Sequence, residues 1–331
     1  MQLLQIYCII LLNIQIGGQT GAACHACGDE REMYHIIVNS TRLKGKNADS
    51  IDIVKSVFDR AGKQYEFHYT EHAGHAKEIA AELTASGEKT QLVAMGGDGT
   101  LHEVLNGIKN PAMCRLGVIP IGTGNDFSAA AGIPEDNIKY AAQIIAFRAP
   151  VFIDYISLST GLRSLNAVGC GMDVDVLKRT YASNRTGKSK YYYGFIKSVF
   201  KYRARSFSVE IDGGKRRHYN GLIACLGNGR QIGGGIKLFP RAKIDDGKLD
   251  FMIVDYLSVF KTVIAFAKLA FGKLNTIKEV TQSRCKKAVI YPESKQFTIQ
   301  AEGELYDYEN LESITAEVVS GKLRFYLPAH D

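Results

Sequence analysis

The chain has 331 residues, 46% of them hydrophobic and 23% charged. That is ordinary globular composition; it excludes wholesale disorder and leaves room for two domains. The formal net charge of +7 is unevenly placed, because residues 178–217 carry twelve Lys/Arg against Glu210 and Asp212, a local net of +10 that leaves −3 for the remainder. A regional basic surface suits an anionic partner such as a membrane face or a polyphosphate, although a solvated surface gives the same composition.

The start of the chain is unlike the rest. Residues 3–16 are mostly apolar but are interrupted by Gln5, Asn13 and Gln15, too short a run to span a bilayer. No Lys or Arg precedes Arg31, so the basic flank of a secretory signal is missing. We read residues 1–31 as a non-core extension, with a weak membrane anchor as the alternative. Seven cysteines, odd in number and scattered from Cys8 to Cys285, argue against a disulfide framework and for a reduced, cytosolic setting. Cys24 and Cys27 form a C-x-x-C pair with no second pair at zinc-site spacing.

From Met33 the pattern alternates. Strands are expected at 34–38, 64–69, 91–95 and 115–121, and helices at 48–61, 73–86 and 101–108, with another starting at 126–131. Such alternation predicts a parallel sheet covered on both faces. Beyond Pro150 the runs at 151–159, 207–211, 221–226, 249–254, 287–290, 297–301 and 314–319 read as strands joined by turns such as Gly213-Gly214 and Asp246-Gly247. Helices are expected at 191–203 and 258–274. The second keeps Lys261, Lys268 and Lys273 among apolar residues and reads as a helix packed on the sheet, with an amphipathic membrane-surface helix as the rival. Residues 323–327 are expected to return as a last strand. The organisation is thus an α/β chain: extension 1–31, an α/β nucleotide-binding domain at 32–150, and a β-rich domain at 151–331.

Two glycine turns carry the strongest chemical signal. Gly96-Gly97-Asp98-Gly99-Thr100 follows a buried strand and opens a helix, the arrangement that presents bare backbone N–H groups and a helix N-terminus to a phosphate. Gly122-Thr123-Gly124-Asn125-Asp126 repeats the form one strand later. Two such turns on successive strands meet at the carboxyl edge of the sheet, where open α/β sheets bind ligands. Neither contains G-x-G-x-x-G, so any phosphate site is of another design. Far downstream, Glu302-Gly303-Glu304 places carboxylates on a turn, and phosphoryl transfer to an alcohol benefits from a carboxylate that receives the hydroxyl proton. Asp245-Asp246-Gly247 is an acidic turn of the kind that can hold Mg²⁺ with help from carbonyls.

Taken in order, G-G-D-G-T-L-H-E-V-L-N-G (96–107), P-I-G-T-G-N-D-F (120–127), N-G-R-Q-I-G-G-G (228–235), P-R-A-K-I-D-D-G-K-L-D (240–250) and E-G-E (302–304) resemble the diacylglycerol-kinase catalytic-domain family, which includes bacterial diacylglycerol kinases and sphingosine and ceramide kinases. The resemblance covers nearly all of 33–327. It implies an ATP- and Mg²⁺-dependent lipid kinase acting on a lipid hydroxyl, foremost diacylglycerol to phosphatidic acid, with a three-layer α/β nucleotide-binding domain, a C-terminal β-sandwich domain and the site in the cleft between them. It implies nucleotide contacts at Asn39, Thr70, Gly96, Gly97, Asp98, Gly99, Thr100, Leu101, His102 and Thr123, a catalytic base at Glu302, and a structural Mg²⁺ at Asp246 with the backbone carbonyls of Lys243 and Lys248. The implied partners are ATP and a membrane lipid met at the cytoplasmic face of the membrane, with homodimerisation left open and nucleic acid excluded for want of a recognition motif.

Two departures from the family pattern stand out. The family usually has Asp where Glu302 stands, and its first strand usually ends N-P-x-S-G where this chain has Asn39-Ser40-Thr41-Arg42-Leu43-Lys44-Gly45. The rivals are a soluble kinase of the NAD kinase or phosphofructokinase type, which shares G-G-D-G-T, and a nucleotide-binding regulator without turnover, of which the Asp-to-Glu change would be the mark.

Overall fold

Four apolar runs build the first sheet. β1 (Met33–Val38), β2 (Gln64–Tyr69), β3 (Thr90–Gly96) and β4 (Cys114–Pro120) pair in parallel in the order β4–β3–β1–β2. Ile36, Ile37, Leu92, Val93 and Leu116 are wholly buried, as strands covered on both faces require. The computed structural model describes residues 32–183, 189–202, 204–270 and 273–329; the extension at 1–31, with Cys24 and Cys27, lies outside the described residues. The cysteines within them, Cys114, Cys170, Cys225 and Cys285, are free and buried.

Helices α1 (Ser50–Arg60), α2 (His75–Leu83) and α3 (Asp98–Gly107) connect these strands. Val54, Val57 and Phe58 of α1 are buried at the spacing of one helical face. Parallel connections are right-handed, and this strand order therefore sets α1 on one face of the sheet and α2 and α3 on the other. The short α4 (Asp126–Ala130) follows β4, and α5 (Ile138–Phe147) then packs against α1. Helix α3 starts at Asp98 rather than at the expected Leu101, because Asp98, Gly99 and Thr100 form its first turn; an acidic residue there is favoured by the helix dipole. Helix α5 was not expected, although the Asn137 side chain caps it by accepting from Tyr140 N at 2.9 Å.

The second half is antiparallel. It comprises β5 (Val151–Leu158), β6 (Arg163–Ser164), β7 (Ala167–Gly171), α6 (Met172–Tyr181), α7 (Ser189–Lys201), β8 (Arg205–Ile211), β9 (Arg217–Gly227), β10 (Leu249–Asp255), α8 (Val259–Ala270), β11 (Val280–Cys285), β12 (Lys287–Pro292), β13 (Gln296–Ala301), β14 (Glu304–Glu309) and β15 (Ile314–Phe325). The pairing runs β14–β13–β7–β9–β8–β12–β15, with β10 and β11 branching from β9 and β5 lying along β15. Period-two alternation divides the side chains: Phe251 and Ile253 of β10 enter one core with Ala224 and Leu226, while Met252 and Val254 enter another with Leu222, Leu257 and Ala265. Sequence reading missed α6 and strands β6, β7, β11 and β14.

The expected last strand proves to be the end of β15. Its first part pairs with β12, and Arg324 and Phe325 pair in parallel with Arg115 and Leu116 of β4. One strand thus joins the sheets of both halves.

Candidate active site

The two glycine turns are brought into contact. Gly96 pairs with Pro120 at the ends of β3 and β4, so both turns leave the same sheet edge. A Cβ on Gly122 would lie 2.4 Å from Gly97 Cα, closer than any side chain tolerates. Gly97 caps α3 without a side-chain cap, which leaves the first-turn N–H groups to face a cavity of about 840 Å³. Asn39, Thr70, Gly97, Asp98, Gly99, Thr100 and Thr123 all line this cavity. Asn39, at the end of β1, donates through Nδ2 to Thr100 Oγ1 at 3.0 Å and accepts from Thr41 Oγ1 at 2.7 Å.

Three of the expected nucleotide contacts are elsewhere. Gly96 is still in β3, where an added Cβ would strike Thr100. Leu101 is a core residue. His102 is 3% exposed, and its Nε2 lies 2.6 Å from the Tyr306 hydroxyl on β14. Burial pushes its pKa down to about 4, helped by Lys77, so the imidazole is neutral. These residues brace the glycine turn from behind and take no place in the cavity wall.

Glu302 does reach the cavity. Glu302 and Gly303 form the two-residue turn between β13 and β14, both with positive φ (53° and 83°), as a type I′ hairpin demands. Oε1 accepts from Ser164 Oγ at 2.5 Å and from the Asn166 N–H at 2.6 Å. Burial pushes the Glu302 carboxyl up to about 7; Ser164 and Asn166 pull the other way, and Asp98 and Asp126 add to the rise. Asp98 is likewise pushed up to about 6, by burial and by Asp126, while accepting from Phe127 N at 3.3 Å. Asp126 is held by the loop 231–235, accepting from Gly234 N at 2.9 Å, Gly235 N at 3.0 Å and Gln231 Nε2 at 3.2 Å. Asn166 Nδ2 donates to Gln231 O at 2.7 Å, so one residue fastens both this loop and Glu302.

Sequence reading gave no role to Ser164, Asn166 or Asp173. Asp173 stands in the first turn of the unexpected helix α6 and lines the cavity. Its two oxygens make no hydrogen bond of normal geometry among the described residues. Burial pushes its carboxyl up to about 7 against the weak pull of Val174 N–H and the Gln300 side chain. The available signal was the acidic pair Asp173 and Asp175 directly after an apolar run, which marks a helix start.

From the carboxylates the same cavity continues into an apolar half. Its walls include Val176 and Leu177 of α6, Leu222 of β9, Met252 of β10, and Phe266 and Leu269 of α8. Among the described residues, one concave space therefore joins phosphate-type turns, a cluster of carboxylates and an aliphatic sleeve.

The expected Mg²⁺ residues of the second half do not line the cavity. The loop with Lys243, Asp246 and Lys248 is fastened to β5, with Gly247 N donating to Asp154 Oδ2 at 2.6 Å. Asp246 accepts from Lys248 N at 3.2 Å through Oδ1, and its Oδ2 is paired with Arg284. A guanidinium beside the only carboxylate of the set takes the place a cation needs, and Mg²⁺ asks for near-octahedral oxygen ligation. These residues, so arranged, do not fit the ion. Among the cavity carboxylates, Asp98 and Asp126 each raise the Glu302 pKa, a repulsion that a divalent cation would relieve.

Comparison with known proteins places this geometry. Residues 33–158 match the family model described as diacylglycerol kinase catalytic domain, and residues 166–326 match one described as YegS C-terminal NAD kinase beta sandwich-like domain. The chain is 30% identical over 299 residues to a "Probable lipid kinase YegS-like" of Xanthomonas campestris pv. campestris (strain 8004), covering 86% of this chain and 94% of that one. It is 33% identical over 227 residues to a "Diacylglycerol kinase" of Bacillus subtilis (strain 168), covering 66% and 72%. Its fold is like that of a diacylglycerol kinase crystal structure from Bacillus anthracis str. Sterne, with TM-score 0.68 at 23% identity over 91% of this chain and 98% of that one.

Proposed function

Starting from a chain that belongs to the diacylglycerol kinase catalytic-domain family of lipid kinases, we propose that it transfers the γ-phosphoryl group of ATP to the hydroxyl of diacylglycerol, giving phosphatidic acid and ADP. The observation that carries this reading is the single cavity that runs from the glycine turns through the carboxylates into an aliphatic sleeve. A soluble dinucleotide acceptor has no use for that sleeve, whereas acyl chains gain by filling it.

In this reading the turns at Gly97–Thr100 and Gly122–Gly124 receive the ATP phosphates through backbone N–H groups. Asp98 and Asp126 would hold Mg²⁺, which supplies charge neutralisation for the phosphates. Glu302 takes the proton of the acceptor hydroxyl as that oxygen bonds to the γ-phosphorus and the bond to the ADP oxygen breaks. A carboxyl near 7 is matched to that task at neutral pH. Asp173, at the junction of the two halves, accepts a hydrogen bond from the polar head of the acceptor, which adds a donor to the weak pull of Val174 N–H and Gln300.

A membrane face fits the same picture. No helix of the described residues is long and apolar enough to cross a membrane. Helix α8 turns Thr262, Ala265 and Phe266 toward the cavity, yet Phe260 is 76% and Val263 50% exposed on its other side. Helix α7 packs beside it and exposes Ile196 and Phe200. Lys197, Lys201 and Lys261 stand among these residues. Exposed apolar side chains set in basic ones suit an anionic bilayer surface, from which a lipid enters the sleeve. Of the basic stretch 178–217, residues 184–188 and 203 lie outside the described residues.

The test is direct. Incubation with labelled ATP, Mg²⁺ and a total lipid extract should yield labelled phosphatidic acid; a different labelled lipid corrects the acceptor, and label in no lipid, with ATP still bound, favours the regulator.

A further inference from the structure

At the opposite end of β1 from Asn39, three side chains converge that the kinase reading does not use. His35 of β1 is in register with Glu66 of β2, and His68 follows Glu66 on the same face of the strand. His35 Nδ1 lies 3.1 Å from His68 Nε2, and each of these nitrogens lies 3.6 Å from Glu66 Oε2. The three atoms form a nearly equilateral triangle.

We propose that His35, Glu66 and His68 are a binding site for a transition-metal cation of the Zn²⁺ class, clamping the edge strand β2 to β1. The spacing carries the argument. From the distances of 3.1, 3.6 and 3.6 Å, a point about 2.0 Å from all three atoms exists at the centre of the triangle. Zinc bonds to imidazole nitrogen and carboxylate oxygen are about 2.0–2.2 Å, so the three atoms are spaced as the ion requires. Two imidazoles and one carboxylate with an open outer position is a recurrent zinc ligand set. Imidazole donors select Zn²⁺, Cu²⁺ or Ni²⁺ over Mg²⁺ and Ca²⁺, which separates this site from the Mg²⁺ of phosphoryl transfer.

Access and protonation agree with ligation. The His35 and His68 side chains are each 20% exposed and that of Glu66 60%, so an ion enters from solvent. The His35 pKa is lowered, by burial and then by His68 against the pull of Glu66, which keeps a lone pair available near neutral pH. The rival account of the short nitrogen–nitrogen distance is a proton shared between the two rings.

His35 lies four residues, about 13 Å at strand rise, from Asn39 along β1, and His68 two residues, about 7 Å, from Thr70 along β2, so the site stands beside the cavity wall and its role is to fasten that sheet edge. β2 is the outer strand there, pairing only with β1 among the described residues.

The experiment uses the full chain, freed of metal by chelator, in a Cys24→Ser/Cys27→Ser background so that the C-x-x-C pair binds nothing. Expected is one equivalent of Zn²⁺ by equilibrium dialysis, undisplaced by a large excess of Mg²⁺. With Co²⁺ a visible ligand-field spectrum should appear, and Zn²⁺ should raise Tm. His35→Gln and His68→Gln should each cut affinity by roughly 100-fold or more and abolish the Tm shift, since even outer-shell losses cost 10–100-fold. Glu66→Gln, the most exposed of the three, gives the same reading if a histidine variant fails to fold. Zinc affinity unchanged in these variants, or lost instead in His72→Gln of the neighbouring His72, His75 and Glu78 group, overturns the proposal, and the shared proton then accounts for the short contact.

Discussion

The Tyr306 hydroxyl and His102 Nε2, 2.6 Å apart, tie the helix that begins at the first glycine turn to the hairpin that carries Glu302. Because the imidazole is held neutral, one partner donates and the other accepts throughout the ordinary pH range. Tyr306→Phe leaves the buried nitrogen without its partner. It should cost about 1–3 kcal/mol of stability in urea unfolding, with the same cost at pH 6 and pH 8.

Gly97 and Gly122 meet backbone to backbone. Gly122→Ala forces the turns apart, and overpacking of this kind costs about 1–3 kcal/mol. The KM for ATP should rise while the KM for lipid changes little, as steady-state kinetics with each substrate varied in turn would read.

Glu302 should set a pH dependence on stability and, as the proposed base, on activity. If it is the base, turnover should fall below about pH 7 as the carboxyl takes up its proton, and Glu302→Gln should lower kcat by about 10²-fold or more. For stability the sign is opposite to that of a salt-bridged acid. The folded pKa lies above the ordinary value of 4.5, so the folded state binds the extra proton between 4.5 and about 7. Stability therefore drops as pH rises through that window, by up to about 3 kcal/mol, and levels off above it. Metal-free denaturation of Glu302→Gln should show a smaller drop; an identical profile would remove the assignment.

Asp173→Asn keeps the shape of the junction and removes the acceptor charge. The KM for lipid should rise about tenfold, the cost of one hydrogen bond to a charged group, with ATP binding by calorimetry unaltered.

Phe260→Glu places a negative charge on the outer face of α8, away from the cavity. Binding to anionic vesicles should weaken, while activity on a short-chain acceptor dispersed below its aggregation limit stays as before. Equal loss in both assays would show that this face does not meet the bilayer.

Much of this was legible because two signals were local. Buried β1, β3 and β4 stand out as apolar runs, and the glycine turns follow β3 and β4 directly, so the sequence already marks Asn39, Asp98, Thr100 and Thr123, which line the cavity. What stayed hidden depended on long-range pairing. Ser164 and Asn166 meet Glu302 only because β7 lies beside β13, and nothing in their own neighbourhood announces it. Helix α6 went unread because its ten residues bury little beyond Val174 and Leu177, too short an apolar stripe to stand out, and Asp173 went with it. Leu101 and His102, expected as nucleotide contacts, do not line the cavity for a geometric reason: once α3 begins at Asp98, the helical turn carries those two residues to its inner side. Whether the Arg284 guanidinium or a cation sits beside Asp246 was likewise invisible, since the two are 38 residues apart in the chain.

The path of β15 limits how this protein can be dissected. Ile314 and Ala316 fill the core of the second half, and Leu323 and Phe325 fill that of the first. Any fragment that stops after residue 158 therefore strips β4 of one of its two neighbours and opens a hole where two large side chains belonged. The part that matches the diacylglycerol kinase catalytic domain is, in this chain, finished only by its last dozen described residues, and expression of the front half alone should give an insoluble or loosely folded product.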